Sequence, residues 1–366
     1  MNKMGFGFLR LPKLDPQDDT SIDYELLNRM VDAFLEAGGT YFDTAYTYLS
    51  GESESALRKS LVERHPRSSY RVATKLPSWK VKCEEDNERY FKEQQERCGL
   101  DYFDVYLLHW LNAKNYEIAE KYHEFAFMSR LKAEGKVGAI GFSYHDSAEL
   151  LDEILTKHPE VDYVQLQLNY LDWDSLSVQA KLCYETAVKH GKKVLVMEPV
   201  KGGTLAEIPA EAAAAFAELD PTLSPAQWAL RFAQSLPEVE IVLSGMNSME
   251  QMTENMQDVP LMNEQELAAC GKAREIIRSQ TAIPCTACGY CAGNCPKKIA
   301  IPQYFKLYNE YARNHNDDWK IQPVYDALCK TYGKASDCIG CLQCERNCPQ
   351  KIQITHWLKE TAKALE

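Results

Sequence analysis

Phe103-Asp104-Val105-Tyr106-Leu107-Leu108-His109 is an almost uninterrupted apolar run that ends on an imidazole. A strand buried on both faces reads as such a run, whereas a half-exposed strand alternates. Seven other short runs have the same character: Gly7–Leu11, Tyr41–Asp43, Tyr70–Lys75, Val137–Ser143, Tyr163–Gln167, Lys193–Glu198 and Ile241–Gly245. Amphipathic segments lie between them. Leu27, Met30, Val31, Phe34 and Leu35 share one helical face, which Gly38-Gly39 brings to an end. Similar patterns cover Asp86–Arg97, Ala119–Ala133, Ala148–Lys157, Ser175–His190 and Pro225–Ser235. Eight strands joined by helical crossovers in about 280 residues predict an α/β fold, the (β/α)8 TIM barrel. An open doubly wound sheet is the alternative, but Gly5-Phe6-Gly7-Phe8 lacks the third glycine of its phosphate-binding turn.

In a barrel of this kind the chemistry sits where the strands end. The second run ends in Asp43, with Tyr48 in the loop beyond it; the third ends in Lys75 and the fourth in His109. A buried Asp–Lys pair beside a tyrosine is expected to lower the phenol's pKa from about 10, because an ammonium favours the phenolate. An imidazole nearby can hold a carbonyl oxygen by hydrogen bond.

The chain has 366 residues, enough for two domains, and 45% hydrophobic with 26% charged residues suits a globular protein with a sizeable core. Lys and Arg number 41 against 53 Asp and Glu, a formal charge of −12. That balance argues against nucleic acid or an anionic membrane surface as a partner. No stretch approaches the ~18 apolar residues of a membrane span. The N-terminal residues hold no signal-peptide apolar core, so a cytoplasmic protein is expected. In that compartment thirteen cysteines do not read as a disulfide framework.

Eight of those cysteines fall in two runs. Cys285, Cys288, Cys291 and Cys295 precede Pro296, and Cys338, Cys341, Cys344 and Cys348 precede Pro349. Both read C-x-x-C-x-x-C-x-x-x-C-P at a constant offset of 53 residues, and Ile299 and Ile301 pair with Ile352 and Ile354 at the same offset. The chain therefore contains an internal duplication. Three thiolates spaced by two residues can wrap one corner loop around a four-iron cluster, and the fourth, before a turning Pro, is aimed at the other cluster. One [4Fe-4S] cluster is thus expected on Cys285, Cys288, Cys291 and Cys348, and a second on Cys338, Cys341, Cys344 and Cys295. Two zinc sites are the alternative, but zinc has no use for the third evenly spaced cysteine. Between the runs, Tyr304, Phe305, Tyr308 and Tyr311, then Val324, Tyr325 and Leu328, follow helical spacing. The segment resembles a helical two-cluster ferredoxin domain, reached through the short link 281–284. Cys83, Cys98, Cys183, Cys270 and Cys329 stand singly and are expected as small buried hydrophobes.

The strand ends taken together resemble the aldo-keto reductases. The residues that carry the resemblance are Phe42-Asp43-Thr44-Ala45 with Tyr48, Ala73-Thr74-Lys75-Leu76, and Asp104-Val105-Tyr106-Leu107-Leu108-His109-Trp110. Later strand ends agree: Ile140-Gly141-Phe142-Ser143, Val164-Gln165 with Asn169, and Ser244-Gly245 running to Glu254-Asn255. The resemblance covers about residues 4–280. It implies Tyr48 as general acid/base, Lys75 and Asp43 as its tuners, and His109 as the group that orients a carbonyl or alcohol substrate. It implies Ser143 and Gln165 against a nicotinamide carboxamide, with Gly245 and Asn255 elsewhere along NAD(H) or NADP(H). The chain departs from the family at Tyr144, where Asn is common, and at Met197, where an aromatic stacks on the nicotinamide. It departs again at Gly245–Gln251, which holds no Lys or Arg to grip a 2′-phosphate.

Residues 1–280 are thus expected to form the barrel and 281–366 a mainly helical two-[4Fe-4S] domain. A nicotinamide moves two electrons together and an iron–sulfur cluster moves one, so three functions follow. In the first, the barrel interconverts carbonyl and alcohol while the clusters exchange electrons with an external carrier such as ferredoxin or flavodoxin. In the second, the barrel holds FMN, its phosphate near Lys201-Gly202-Gly203. The third is a non-catalytic electron-transfer or redox-sensing module.

Overall fold

The computed structural model describes residues 3–175, 178–280, 282–313 and 318–366. They pack as two units. The first comprises residues 1–174, 179–199 and 229–262, and the second comprises residues 175–178, 200–228 and 263–366.

The first unit is a closed barrel of eight parallel strands in chain order. They are β1 (Met4–Gly7), β2 (Tyr41–Asp43), β3 (Arg71–Leu76), β4 (Phe103–Leu111), β5 (Val137–Tyr144), β6 (Tyr163–Gln167), β7 (Lys193–Met197) and β8 (Val239–Ser244). Tyr41, Ala73, Val105, Leu107, Leu195, Ile241 and Leu243 fill its interior. The helix Tyr24–Glu36 buries Leu27, Met30, Val31 and Phe34 on the face that the sequence periodicity marks. Phe34 joins Phe6, Phe8 and Phe42 in a tilted and edge-on aromatic cluster that locks the helix against β1 and β2.

Three elements differ from the expectation. The first strand runs Met4–Gly7 rather than Gly7–Leu11. Gly5 pairs with Tyr41 on one side and Leu243 on the other, and a Cβ there would lie 2.7 Å from both Ile241 and Leu243. Its glycine serves close packing inside the barrel. The segment expected as one helix over Ala119–Ala133 is two, Ala113–Lys121 and Glu124–Ala133. His123 between them is left-handed, with φ 54°, and the Tyr122 carbonyl before it accepts from Asn87 Nδ2 at 2.8 Å. The apolar spacing runs on through this break, so periodicity alone could not show it. The pattern over Ser175–His190 becomes a helix only at Ala180–Lys189; residues 176–177 lie outside the described residues.

In the second unit the helices Ile301–Arg313, Asp318–Cys329 and Ile354–Leu365 enclose a core with Tyr304, Phe305, Ile321, Tyr325 and Leu358. The buried phenols are satisfied: Tyr304 donates to the Gly333 carbonyl at 2.9 Å, and Tyr325 accepts from the Ala335 N–H at 3.0 Å. Asn309 pins the link that precedes the cysteines, accepting from Ile283 N–H at 2.7 Å and donating to its carbonyl at 2.6 Å; Thr281 of that link lies outside the described residues. Among the described residues no helix is long and apolar enough to cross a membrane.

Candidate functional site

Three polar residues at or near strand ends and Tyr48 from the loop after β2 come together at one rim of the barrel. Asp43 and Lys75 end or nearly end adjacent strands and are both buried, with Lys75 Nζ 2.5 Å from Asp43 Oδ1 and 2.8 Å from the Thr44 carbonyl. Burial pushes the Asp43 carboxyl up and the Lys75 ammonium down, and each partner's charge opposes the other's shift. Removing either partner would strand the other, typically at a cost of about 3–5 kcal/mol.

Tyr48 stands in a strained loop, followed by Leu49 and Ser50 at φ 49° and 55°. Its ring lies 5.5 Å from the His109 ring, edge to face. The Lys75 ammonium sits over the face of the Tyr48 ring, 4.8 Å from its centre. The sequence reading has Lys75 lowering the phenol's pKa, but the geometry acts otherwise. Tyr48 is half-buried. Burial first, and the Asp43 carboxylate second, push its pKa well above the usual phenol value. His109 is 5% exposed. Burial, then the nearby charges of Lys75 and His145, hold its pKa well below 6.5, so the ring is neutral at physiological pH.

A break in β4 aims His109. The pairing of β4 with β5 slips between Leu108 and Leu111, and Trp110 within the slip has φ 59°. A bulky residue at positive φ is strained, of order 1–3 kcal/mol, and survives only where neighbours hold it. Here the Trp110 N–H donates to Ser143 Oγ at 2.7 Å, and its carbonyl accepts from Asn115 Nδ2 at 2.7 Å. Trp79, in the turn after β3, packs on both His109 and Trp110 with ring centres 5.1 and 5.5 Å apart. Ser78 of that turn donates to the buried Glu124 carboxylate at 2.6 Å, and burial pushes the Glu124 carboxyl up to about 7.

Ser143 on β5 pairs in register with Gln165 on β6. Both are buried, and Gln165 Oε1 has no hydrogen-bond partner. An unanswered buried carbonyl beside a serine hydroxyl suits an amide such as a nicotinamide carboxamide. Asn255 donates to Ser244 Oγ at 3.1 Å at the end of β8. Gly245 lies against Arg10, whose Cβ is 3.4 Å from where a glycine Cβ would stand. Lys201 and Gly202 belong to the second unit. Lys201 is buried in the second unit and donates to Gln350 Oε1 at 3.1 Å, so its ammonium is committed there rather than presented to a phosphate.

Sequence reasoning missed His145, Trp79 and Arg10, and also the network beneath the rim. Glu54, fully buried, accepts from Thr74 Oγ1 at 2.7 Å and Gln94 Nε2 at 2.8 Å. Gln94 also donates to the Lys75 carbonyl at 3.0 Å and accepts from Tyr106 at 2.7 Å. An isolated acid on an amphipathic helix carries no local signal of that role.

The second unit holds two small, partly open cavities. Cys285, Cys288, Cys291 and Cys348 border one, with Thr286, Gln350 and Ile352. Cys295, Cys338, Cys341 and Cys344 border the other, with Ile299, Ile339 and Leu342. Each cavity thus takes three thiols from one repeat and one from the other. Among the described residues no three His, Cys, Asp or Glu side chains close on a point as ligands of a single ion would. Thiols spread around a space suit a polynuclear cluster. Burial pushes Cys285 and Cys344 up to about 11, and four thiolates can share such a space only around a positive centre, which iron supplies. Of the solitary cysteines, Cys98, Cys183 and Cys270 are buried as expected, while Cys329 is half-buried and Cys83 is exposed on the loop before Glu85–Cys98.

Comparison with known proteins finds a match for each part of the chain. The profile of the Aldo/keto reductase family matches residues 3–275, and that of the 4Fe-4S dicluster domain matches residues 284–353. An aldo-keto reductase of Mycolicibacterium vanbaalenii is 30% identical over 226 residues, which are 61% of this chain and 74% of that protein. The NADH-specific methylglyoxal reductase of Escherichia coli is 29% identical over 197 residues, 48% of this chain and 57% of its own length. Among solved structures, the holo form of an aldo-keto reductase from Bacillus halodurans aligns with a TM-score of 0.59 at 24% identity, over 74% of this chain and 91% of that one. An aldo-keto reductase from Klebsiella pneumoniae in complex with NADPH gives 0.58 at 20% identity, over 74% and 90%. At these identities the structures establish the shared fold.

Proposed function

This chain belongs to the aldo-keto reductase family and carries a 4Fe-4S dicluster domain, and from that premise we propose that it is an iron–sulfur oxidoreductase interconverting carbonyl and alcohol groups at the barrel rim. The observation that carries the reading is the convergence of Tyr48, His109, Lys75 and Asp43, with the Tyr48 and His109 rings 5.5 Å apart.

Neutral His109 donates a hydrogen bond to the substrate oxygen. Tyr48, kept protonated by burial and by Asp43, gives its proton to that oxygen as negative charge develops on it. A protonated phenol is the form that reduction requires. Lys75 over the ring face stabilises the phenolate that remains, and Asp43 holds Lys75 in place. Ser143 and Gln165 hold the carboxamide of a nicotinamide, and Asn255 and Gly245 lie along its remainder. When bound, the nicotinamide supplies or accepts the hydride. The name of the Escherichia coli relative, NADH-specific, favours NADH; the NADPH complex of the Klebsiella structure keeps NADPH in consideration. An FMN reading loses its phosphate cradle, because Lys201 is committed to Gln350.

Residues 281–366 form the cluster-bearing domain in this reading. Cys285, Cys288, Cys291 and Cys348 hold one [4Fe-4S] cluster, and Cys338, Cys341, Cys344 and Cys295 hold the other. The clusters, when present, exchange single electrons with an external carrier.

The test is anaerobic. The clusters are reduced with a low-potential donor, a substrate that NAD(P)H can turn over is added without nicotinamide, and cluster absorbance is followed. Substrate-dependent reoxidation that disappears in Tyr48→Phe supports coupling between clusters and barrel. Clusters that stay reduced with every such substrate leave a plain carbonyl reductase.

A further inference from the structure

The two cysteine repeats allow an internal comparison. Thr286 and Gly289 border the first cavity, and their counterparts at the 53-residue offset, Ile339 and Leu342, border the second. Thr286 is 1% exposed, whereas Ile339 is 61% and Leu342 42% exposed. The first repeat encloses its cavity without large apolar side chains at these positions, so holding a cluster does not call for them. Leu342 also occupies a left-handed position, φ 60°, where the first repeat has Gly289 at φ 83°. That conformation suits glycine and strains a leucine. An exposed apolar pair retained at that cost suggests a surface that becomes covered.

The charges around it differ in the same sense. Gln350 beside the first cavity is buried, and its counterpart beside the second, Lys297, is exposed together with Lys298. Arg346, exposed, lies one turn beyond Leu342. The acids near it in the chain, Asp337 and Glu345, are outnumbered by these bases. Asp337 accepts from the Lys334 N–H at 2.8 Å, and Glu345 accepts from both the N–H and the hydroxyl of Thr355 at 2.7 Å. Residues 285–366 hold 11 Lys and Arg against 8 Asp and Glu, so the acidic excess of the chain lies entirely outside them. Two loaded clusters would add about −4, bringing the segment near neutrality on an otherwise acidic molecule. An acidic partner is repelled elsewhere and drawn to Lys297, Lys298 and Arg346.

We propose that this face is the electron port of the protein, a docking surface for a small acidic one-electron carrier protein of the ferredoxin type. The proposal rests on the cluster reading above. The apolar pair provides the dry contact over the cavity and the basic residues provide the steering. At each encounter the carrier loses one electron and the centre held by Cys295, Cys338, Cys341 and Cys344 gains it. No bond forms or breaks and no proton moves.

The experiment uses the full chain, loaded with iron, and a purified acidic ferredoxin reduced beforehand, mixed anaerobically in a stopped-flow instrument. The second-order rate should fall steeply as salt rises. At low salt it should fall about tenfold or more in the double variant Lys297→Glu/Lys298→Glu and in Ile339→Glu. Iron content and the rate of reduction by dithionite, measured on each variant, should fall far less than the rate with ferredoxin. Lys351→Glu, the counterpart of Lys298 in the other repeat, should have little effect. A rate indifferent to salt and to both charge reversals, or an equal loss in Lys351→Glu, overturns the port. A dimer that Ile339→Glu turns into monomers at an unchanged rate overturns it too, assigning the face to a second copy of the chain. A chain purified anaerobically without iron would defeat the cluster reading itself, and iron analysis separates that failure from the others.

Discussion

The barrel rim and the cysteine unit assemble their chemistry by opposite routes. At the rim, single residues arrive from strands scattered between Asp43 and Gln165, and their properties come from where the fold buries them. In the cysteine unit, three of the four thiols around each cavity come from one run of seven residues, and only the fourth, Cys348 or Cys295, requires the other repeat. Burial sets charge states at the rim: His109 is held neutral, Tyr48 protonated, and Glu124 near the middle of the pH scale. Spacing sets the ligand geometry in the cysteine unit. The rim should therefore respond to loss of a single functional atom, and the cysteine unit to loss of pairing between repeats.

The largest effect is expected at the rim. Tyr48→Phe removes one hydroxyl and should lower kcat for carbonyl reduction about 10²- to 10⁴-fold, the usual worth of a general acid. Nicotinamide affinity, followed by fluorescence titration, should move little. Since His109 is already neutral, kcat/KM should show no limb belonging to it between about pH 6 and 8. Ordinary turnover in Tyr48→Phe would remove the rim from the chemistry.

The pairing between repeats can be broken selectively. If the ligands cross, Cys348→Ala with Cys285→Ala damages one cluster, and iron should fall from about eight to about four per chain. Cys348→Ala with Cys338→Ala damages both, leaving almost none. Ligands drawn from a single repeat give the reverse result, so iron analysis of the two double variants decides the connectivity.

The same contrast explains what the sequence makes legible. The cysteine cavities were readable to the residue, because ligand spacing is a local property and duplication displays it twice. The barrel was readable from its apolar runs, and its rim from polar residues at their ends. The rest depended on long-range packing. Gly5 falls outside the expected first strand, and its role shows only when Ile241 and Leu243 are seen against it. Lys201 reads as a phosphate ligand until Gln350, far along the chain, is seen to accept its hydrogen bond. The tuning of Tyr48 depends on whether Lys75 meets the hydroxyl or the ring face, which no spacing encodes.

A smaller effect should come from Glu124, where the rim bears a burial cost without direct chemistry. Its carboxyl stands at about 7 against an ordinary 4.5, so between those values the native state binds more protons than the unfolded one. Stability should then fall as pH rises from about 4.5 through 7, by about 3 kcal/mol if the whole shift is expressed. Glu124→Gln keeps a partner for Ser78 and should flatten that dependence. Urea midpoints of the barrel, followed by tryptophan fluorescence across this range, measure it. A wild-type curve as flat as the variant's would mean that water reaches the carboxylate.

The smallest effect concerns the choice of nicotinamide, where the rim depends on a single charge. A 2′-phosphate gains affinity mainly from Arg or Lys, and Gly245–Gln251 contains neither. The wild type should therefore not favour NADPH strongly over NADH. Gln251→Arg should shift the ratio of kcat/KM values towards NADPH by about tenfold, or 1.4 kcal/mol. Arg10 sharpens the test, since its side chain lies against Gly245 although it comes from the loop after β1. If the wild type prefers NADPH a hundredfold, Arg10→Ala should erase that preference, and the phosphate would be read across the β1–β8 junction. A hundredfold preference that survives Arg10→Ala would place the phosphate away from β8 altogether. In that case Gly245 and Asn255 would drop out of the proposed cofactor site, while the proposed roles of Ser143 and Gln165 at the carboxamide would be untouched.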